Sequence, residues 1–531
     1  MTNPGRQRVQ NVVRPLPSAL LEDCTTYLEE QLYNQGFATL SSALLSGFSN
    51  SSPLYVPPPQ HLALAATLSV HPSFTTRTLQ AEKHKAAQAA SAYLRHVQKN
   101  TTVETAGFAR AFVFGGSANS GRDQRARLRR SAAVRHSDDT DDKSKLGEED
   151  RQIHNSYARE QSLFRNADDF WSVVGWSFNC SVKHPNRWVI WKTWLQVMLD
   201  LLEDDIQHCK DTTEGTSSFQ KALICQYMFG AGGRLINIRR IMRAIFADGS
   251  AQTIAEFPEI WRNEARPPKR DSQDKSQKRK QLDIENDEFA DYFDAESDTE
   301  SVTNDPNSSA ALDKILGDNE HDDDDEQAAS ARAIAWQEGS DPTIVLRQRI
   351  LAVISSLSFG APELSIEPYN LASLIAEFVR PLPIGNFMQF TLPLTSNFSI
   401  DMQVTISEML LKSLVAGDTP ATDPSSSMTQ DAFEKWYAPR AASSSSAVDN
   451  AKVSVLVESV LRNLWQAECL PIEKRDTLVR AVEVGIAARE KKAGSAKSKT
   501  GKKHESDGAA RAMLQSSAKR LQAFIATLAV L

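Results

Sequence analysis

The side chains best suited to metal chemistry are Cys180, His184, His208 and Cys209. Such ligands hold zinc in many proteins, but Cys180-x3-His184 and the adjacent His208-Cys209 fit no zinc-finger spacing. Cys180 also falls close to the apolar face of its helix, so buried free thiols are the simpler reading, and no metal or other cofactor is expected. The segment GGSANSGRD (115–123) follows the strand-like AFVF and has the glycine spacing of a phosphate-binding loop, Gly116-x4-Gly121. Arg122 stands where a lysine would reach the phosphates, and Asp123 would repel them where Ser or Thr would hold magnesium. No G-x-S-x-G signature occurs, and the paired carboxylates lie in solvated runs. The sequence points away from an enzyme, and an enzyme of a helical class without local signatures is the least favoured reading.

Recognition chemistry is better represented. In GGRLINIRRIMRAIFADGS (232–250), Leu235, Ile238, Ile241, Met242, Ile245 and Phe246 share one helical face. Arg239, Arg240 and Arg243 project from the other, a basic ridge for a phosphate backbone or an acidic partner, with Gly249 as the expected C-terminal stop. The segment PPKRDSQDKSQKRKQLD (267–283) carries Lys269-Arg270 and Lys278-Arg279-Lys280, accessible basic clusters of the kind an import receptor reads. The expected compartment is therefore the nucleus. Directly after it, DIENDEFADYFDAESDTE interleaves Phe289, Tyr292 and Phe293 with carboxylates, a docking form for basic, histone-like partners or for the arginine ridge itself. Ser297, with acids at positions 298 and 300, suits an acidophilic kinase, which would deepen the charge.

Charge is unevenly distributed. Between Asp283 and Glu326 there are 18 acidic residues and one basic, Lys314, a local net of -17. The whole chain has a formal net of -7, so the remainder is +10. A basic body thus carries an acidic insert. Five cysteines, odd in number and unpatterned, fit a reducing compartment. The start, MTNPGRQRVQNVV, lacks the apolar core of a signal peptide, no run reaches the ~18 apolar residues of a membrane span, and LQAFIATLAVL is too short for an anchor, so no membrane is expected.

These features need elements to position them, and the periodicity is helical. The block DDFWSVVGWSFNCSVKHPNRWVIWKTWLQVMLDLLEDD contains Trp171, Trp176, Trp188, Trp191 and Trp194. In a helix beginning after Pro185, Trp188, Trp191, Leu195, Met198, Leu199, Leu202 and Ile206 share a face. Trp194, Ile190, Val197 and Leu201 widen it to about half the circumference, so the helix should be gripped from two sides at the centre of a bundle. Lys192, Asp200, Glu203 and Asp204 lie opposite. In the preceding helix Trp171, Val174, Phe178 and Val182 align, and Gly175 allows close approach. Trp176 lies off that face, so Trp176 with the Lys183–Arg187 corner is the part of the block left for recognition by stacking or a cage. His184-Pro185 separates the two helices.

The fold class expected is all-α: a multi-helical bundle or irregular helical-repeat-like body interrupted by long disordered inserts. The expected organisation is an N-terminal helical region (1–116), a charged linker (117–150), a tryptophan-rich core (151–264), a disordered basic-then-acidic insert (265–330), a C-terminal helical region (331–492), a lysine-rich linker (493–508) and a terminal helix (509–531). FVFG and FMQFTLPL are the candidate strands, and the first helix, opened by Ser18, should stop before Gly36. The blocks PPPQHLALAATLSVHPSFTTRT (57–78) and FWSVVGWSFNCSVKHPNRWVIWKTW (170–194), with RRIMRAIFADGS, resemble a group of fungal proteins with no activity attached. The resemblance implies a eukaryotic intracellular protein and carries over no site residue. The function expected is a non-catalytic nuclear scaffold that holds protein partners, with 283–326 for basic ones; the alternative is a nucleic-acid-binding factor using the arginine-rich helix face.

Overall fold

The computed structural model describes residues 12–49, 53–115, 153–212, 216–229, 236–268, 341, 343–393, 396–415, 417, 428–470, 475–494 and 503–530. They form an all-α architecture with a single two-stranded ribbon among the described residues. The ribbon pairs β1 (Val13–Pro15) with β2 (Leu54–Val56) in parallel, Val13 opposite Leu54. The two segments expected as strands are not strands: Val113–Gly115 is irregular, and Phe387–Thr391 belongs to a helix. Both are short apolar runs, which periodicity alone does not separate from buried helix.

In the N-terminal layer α1 (Ser18–Glu29) and α2 (Tyr33–Ser49) pack as a hairpin. The break falls at Gln31, whose φ is 59°, and not at Gly36. Gly36 lies inside α2, where a Cβ would come within 2.9 Å of Leu28, so it serves close helix approach. Next come α3 (Pro59–Val70), opened by a proline and closed by His71-Pro72, and α4 (Ala81–Asn100).

At the centre lie α5 (Phe170–Lys183) and α6 (Pro185–Asp211). Asp169 caps α5 through the Ser172 N–H at 2.7 Å. Thirteen consecutive residues of α5, Phe170 to Val182, are buried, so this helix has no solvent face. Gly175 meets Phe257, whose ring would lie 2.3 Å from an added Cβ. The broad apolar arc of α6 is buried as the helical phase requires, against α3, α4 and α5. Its acidic side is paired and part-exposed: α8 (Ile344–Gly360) brings Arg349 onto Glu203 at 2.7 Å and Asp200 at 2.6 Å, and Gln98 of α4 reaches Asp204 at 2.8 Å.

Between these, α7 (Ile238–Ile245) packs on α5. It ends at Phe246, three residues before the expected stop. Gly249 (φ 73°) instead makes the turn after it and donates its N–H to Asn179 Oδ1 at 3.0 Å. The C-terminal part continues from α8 through α9 (Pro368–Val379), α10 (Ile384–Thr391) and α11 (Ile400–Leu414) to α12 (Ala447–Gln466), α13 (Arg475–Gly494) and α14 (Lys503–Val530). One buried apolar cluster runs from Leu16 through the tryptophans to Leu528, so elements from both ends of the chain share a core.

Candidate functional site

The tryptophan block builds a polar knot inside the core. Trp171 donates its indole N–H to the Tyr227 carbonyl at 2.7 Å. Trp176 and Trp191 donate theirs to one oxygen of Glu264, at 3.0 and 2.8 Å. The same oxygen pairs with Arg187 Nε, and the other accepts the N–H groups of Ile260 and Trp261 at 3.2 Å. Arg187 also donates to the Val70 carbonyl and, at 2.9 Å, to Thr75 Oγ1. Its guanidinium lies 5.0 Å from the Trp191 ring centre and 6.0 Å from that of Trp261. Glu264 has no exposed surface, and Arg187 and Trp176 are almost as deeply buried.

This overturns the reading of Trp176 and the Lys183–Arg187 corner as an accessible surface. The corner's outer residues, Lys183 and His184, reach solvent, but Trp176 and Arg187 face inward. The acceptor that draws them in is some 80 residues away in sequence, beyond anything helical phase reports. A carboxylate surrounded by five donors is a structural anchor. Around the knot burial disfavours charge: it pushes His71 down to about 4 and lowers His184. Burial pushes the Cys180 thiol well up, and Glu264 adds to this. Cys24, Cys180, Cys209 and Cys225 are free and buried, Cys469 is free and exposed, and no metal-ligand cluster occurs among the described residues.

The arginine ridge is present on α7, and each member has a carboxylate. Arg239 meets Glu377 of α9 at 2.6 Å, with both side chains more than half exposed. Arg240 meets Asp169, the cap of α5, at 2.7 Å and Ser172 at 3.0 Å, and lies 5.4 Å from the Phe257 ring centre. Arg243 grips both oxygens of Glu256 at 2.7 and 2.8 Å. The three cations thus strap α7 to its neighbours, and a phosphate would have to displace carboxylates to reach them. A related strap uses Arg347 of α8, fully buried. It donates to the carbonyls of Ile245 and, at 3.0 Å, Ala247 at the end of α7, and lies 4.1 Å from the Phe178 ring centre. Burial pushes it down to about 10, against the pull of Asp341.

Other sequence candidates, namely Lys269, Arg270, Lys278, Arg279, Lys280, Phe289, Tyr292, Phe293 and Ser297, lie outside the described residues, as does the sequence after Gly115 that includes Gly116, Gly121, Arg122 and Asp123. The described chain stops at Pro268 and resumes at Asp341, which is itself held by Asn386 at 3.1 Å.

One concavity was not anticipated from sequence. A groove of about 960 Å³ lies beside the ribbon, lined by Val13 to Leu16, by Val56 to Pro59 and by Arg110 among others. Neither arginine makes an ion pair among the described residues, and both are exposed. The lining includes no carboxylate. The run SPLYVPPPQ reads as a break between helices; only tertiary pairing of Val13–Pro15 with Leu54–Val56 turns its prolines into a rigid wall.

Fold and site together define an all-α protein whose buried charges serve its own architecture and which carries a groove with Arg14 and Arg110 in its lining. Compared with protein-family models, curated proteins and solved structures, the chain matches none. No helix of the described residues is long and apolar enough to cross a membrane.

Proposed function

We propose that this chain is a non-catalytic nuclear scaffold whose helical body holds protein partners and whose segment 283–326 binds basic, histone-like ones. The observation that carries the reading is charge segregation: a net of -17 over 283–326 against +10 for the rest. A dense acidic tract attracts a basic surface over a Debye length and favours fast, salt-sensitive association. The pairing of Arg239, Arg240 and Arg243 with carboxylates supports a protein-binding reading over a nucleic-acid one, because the described basic ridge is already neutralised.

The test is titration of purified core histones with the full chain and with a chain lacking 283–326, at several salt concentrations. Affinity should fall steeply with salt, and the deletion should weaken it ~10-fold or more. Equal affinity of the two chains would exclude the reading. DNA binding that appears on deletion would favour the nucleic-acid alternative. In cells, alanine at Lys278, Arg279 and Lys280 should shift a fluorescent fusion from nucleus to cytoplasm; nuclear retention after further replacement of Lys269 and Arg270 would sink the import assignment.

A further inference from the structure

We propose that the groove beside the β-ribbon docks an acidic, aliphatic-rich peptide segment of a partner protein, held by Arg14 and Arg110. The inference rests on the reading of the helical body as the part that holds protein partners, and it adds the partner's chemistry. Charge carries it. Arg187, Arg239, Arg240, Arg243 and Arg349 each meet a carboxylate of this chain. Arg14 and Arg110 meet none among the described residues, and the groove they line contains no carboxylate. Glu104 precedes Thr105 of the lining but is not part of it, and its charge acts on Asp205 of α6.

The backbone adds charge of the same sign. The first residues of α1 and α3, Ser18 and Pro59, both belong to the lining. Neither helix has a capping side chain or an acid in its first turn, so the positive end of each dipole is left uncompensated by the chain. A Cβ on Gly107 would lie 3.3 Å from both Arg110 Nη2 and Pro59 Cγ, which sets the Arg110 guanidinium beside the start of α3. Arg14 lies in β1, just ahead of α1. Each arginine therefore accompanies one of the two helix ends.

The remaining walls decide what bears the negative charge. Pro15, Pro57, Pro58, Leu16 and Leu21 are apolar, and the prolines are stiff. A lone inorganic anion would leave them uncovered, and a volume of about 960 Å³ is near the top of the ~300–1,000 Å³ of small-molecule sites. A nucleic-acid strand would need rings to stack on, and the lining has no aromatic residue. A peptide that interleaves carboxylates with aliphatic side chains satisfies both the cations and the walls. Both arginines are exposed, so the attraction is screened by salt.

The test measures fluorescein-labelled ten-residue peptides against the full chain by anisotropy. One alternates glutamate with leucine and valine; a second has serine and glycine for its aliphatic residues; a third has lysine for its glutamates. The first should bind ~10-fold or more tightly than either other, and less tightly as salt rises. Arg14→Glu with Arg110→Glu should weaken it ~10-fold or more, while Arg14→Lys with Arg110→Lys should retain most of it. Arg95→Glu with Arg165→Glu, an equal charge change at exposed arginines outside the lining, should leave it within ~3-fold. All these side chains are exposed, so helical circular dichroism should match wild type. The proposal is overturned if the first peptide binds no tighter than the second, if Arg14→Glu with Arg110→Glu leaves its affinity unchanged, or if the Arg95 and Arg165 pair weakens it equally. Tighter binding of a thymidine oligonucleotide, lost in the Arg14 and Arg110 variant, would assign the groove to nucleic acid and also overturn it. Core histones should bind that variant as they bind wild type. Absent peptide binding thus refutes the groove alone, and absent histone binding refutes the role of 283–326 alone.

Discussion

Replacing Glu264 with glutamine preserves the shape of the side chain and removes its charge at the centre of the tryptophan knot. Five donors converge on the carboxylate: the indoles of Trp176 and Trp191, Arg187 Nε, and the backbone N–H groups of Ile260 and Trp261. Glutamine offers one carbonyl oxygen, and in either orientation its NH2 faces donors. Arg187 loses the one carboxylate it is paired with while remaining buried. Breaking a buried ion pair from one side costs about 3–5 kcal/mol, and each donor left unpaired adds ~1 kcal/mol or more. With a urea dependence near ~3 kcal/mol per molar for a body this large, the unfolding midpoint should fall by about 1 M or more. The assay is equilibrium urea unfolding followed by tryptophan emission and by far-ultraviolet circular dichroism. Arg187→Met removes the partner instead and leaves the Val70 carbonyl and Thr75 unserved. If the pair is a buried charge couple, the double variant should cost less than the sum of the single variants by ~2 kcal/mol, since no lone charge remains. A midpoint shift below about 0.3 M, or strict additivity, would refute the account of Glu264 as the acceptor that holds the core together.

Gly175→Ala should destabilise by about 1–3 kcal/mol, because its Cβ would lie 2.3 Å from the Phe257 ring; an unchanged thermal midpoint would count against close packing there. Burial pushes His61 and His71 each down to about 4, so the unfolded chain takes up protons below about 6.5 while the folded one does not. Stability should therefore be full near neutral pH and fall between pH 6.5 and 4, by about 2 kcal/mol per histidine at pH 5. Asp205, pushed up to about 6 by burial, works in the opposite sense, so the measurement is the difference between wild type and His71→Gln. A His71→Gln slope as steep as wild type would contradict the assignment. Arg347→Met should speed amide exchange across 245–250 and the start of α8, by the loss of its bonds to Ile245 and Ala247; local exchange at the wild-type rate would show the strap to be dispensable.

Much of the architecture was legible in residue order. The 3.6-residue phase of Trp188, Trp191, Leu195, Met198 and Leu202 turned those side chains to one face, and all are buried. Gly175 and the His184-Pro185 break followed from the steric limits of glycine and of the residue before proline. Gly36 looked like a helix stop and is a contact point, because a glycine's role depends on whether another backbone approaches it. FMQFT looked like a strand because its apolar residues run together; as the helix α10 it buries Phe387 and Phe390 in the shared core.

The composition and order of this chain determined that it would be helical, with tryptophan at its centre and an acidic tract set apart from a basic remainder. Those are properties of local propensity, periodicity and summed charge, all of which are carried within a few helical turns or by simple addition. Tertiary structure alone decided which charges are available. It spent Arg239, Arg240 and Arg243 on Glu377, Asp169 and Glu256, and drew Trp176 and Arg187 inward to Glu264. It set Arg14 and Arg110 in the lining of one groove, with no ion pair for either among the described residues. Ion pairing and burial depend on distances between residues tens to hundreds of positions apart, and a one-dimensional pattern contains no such distance.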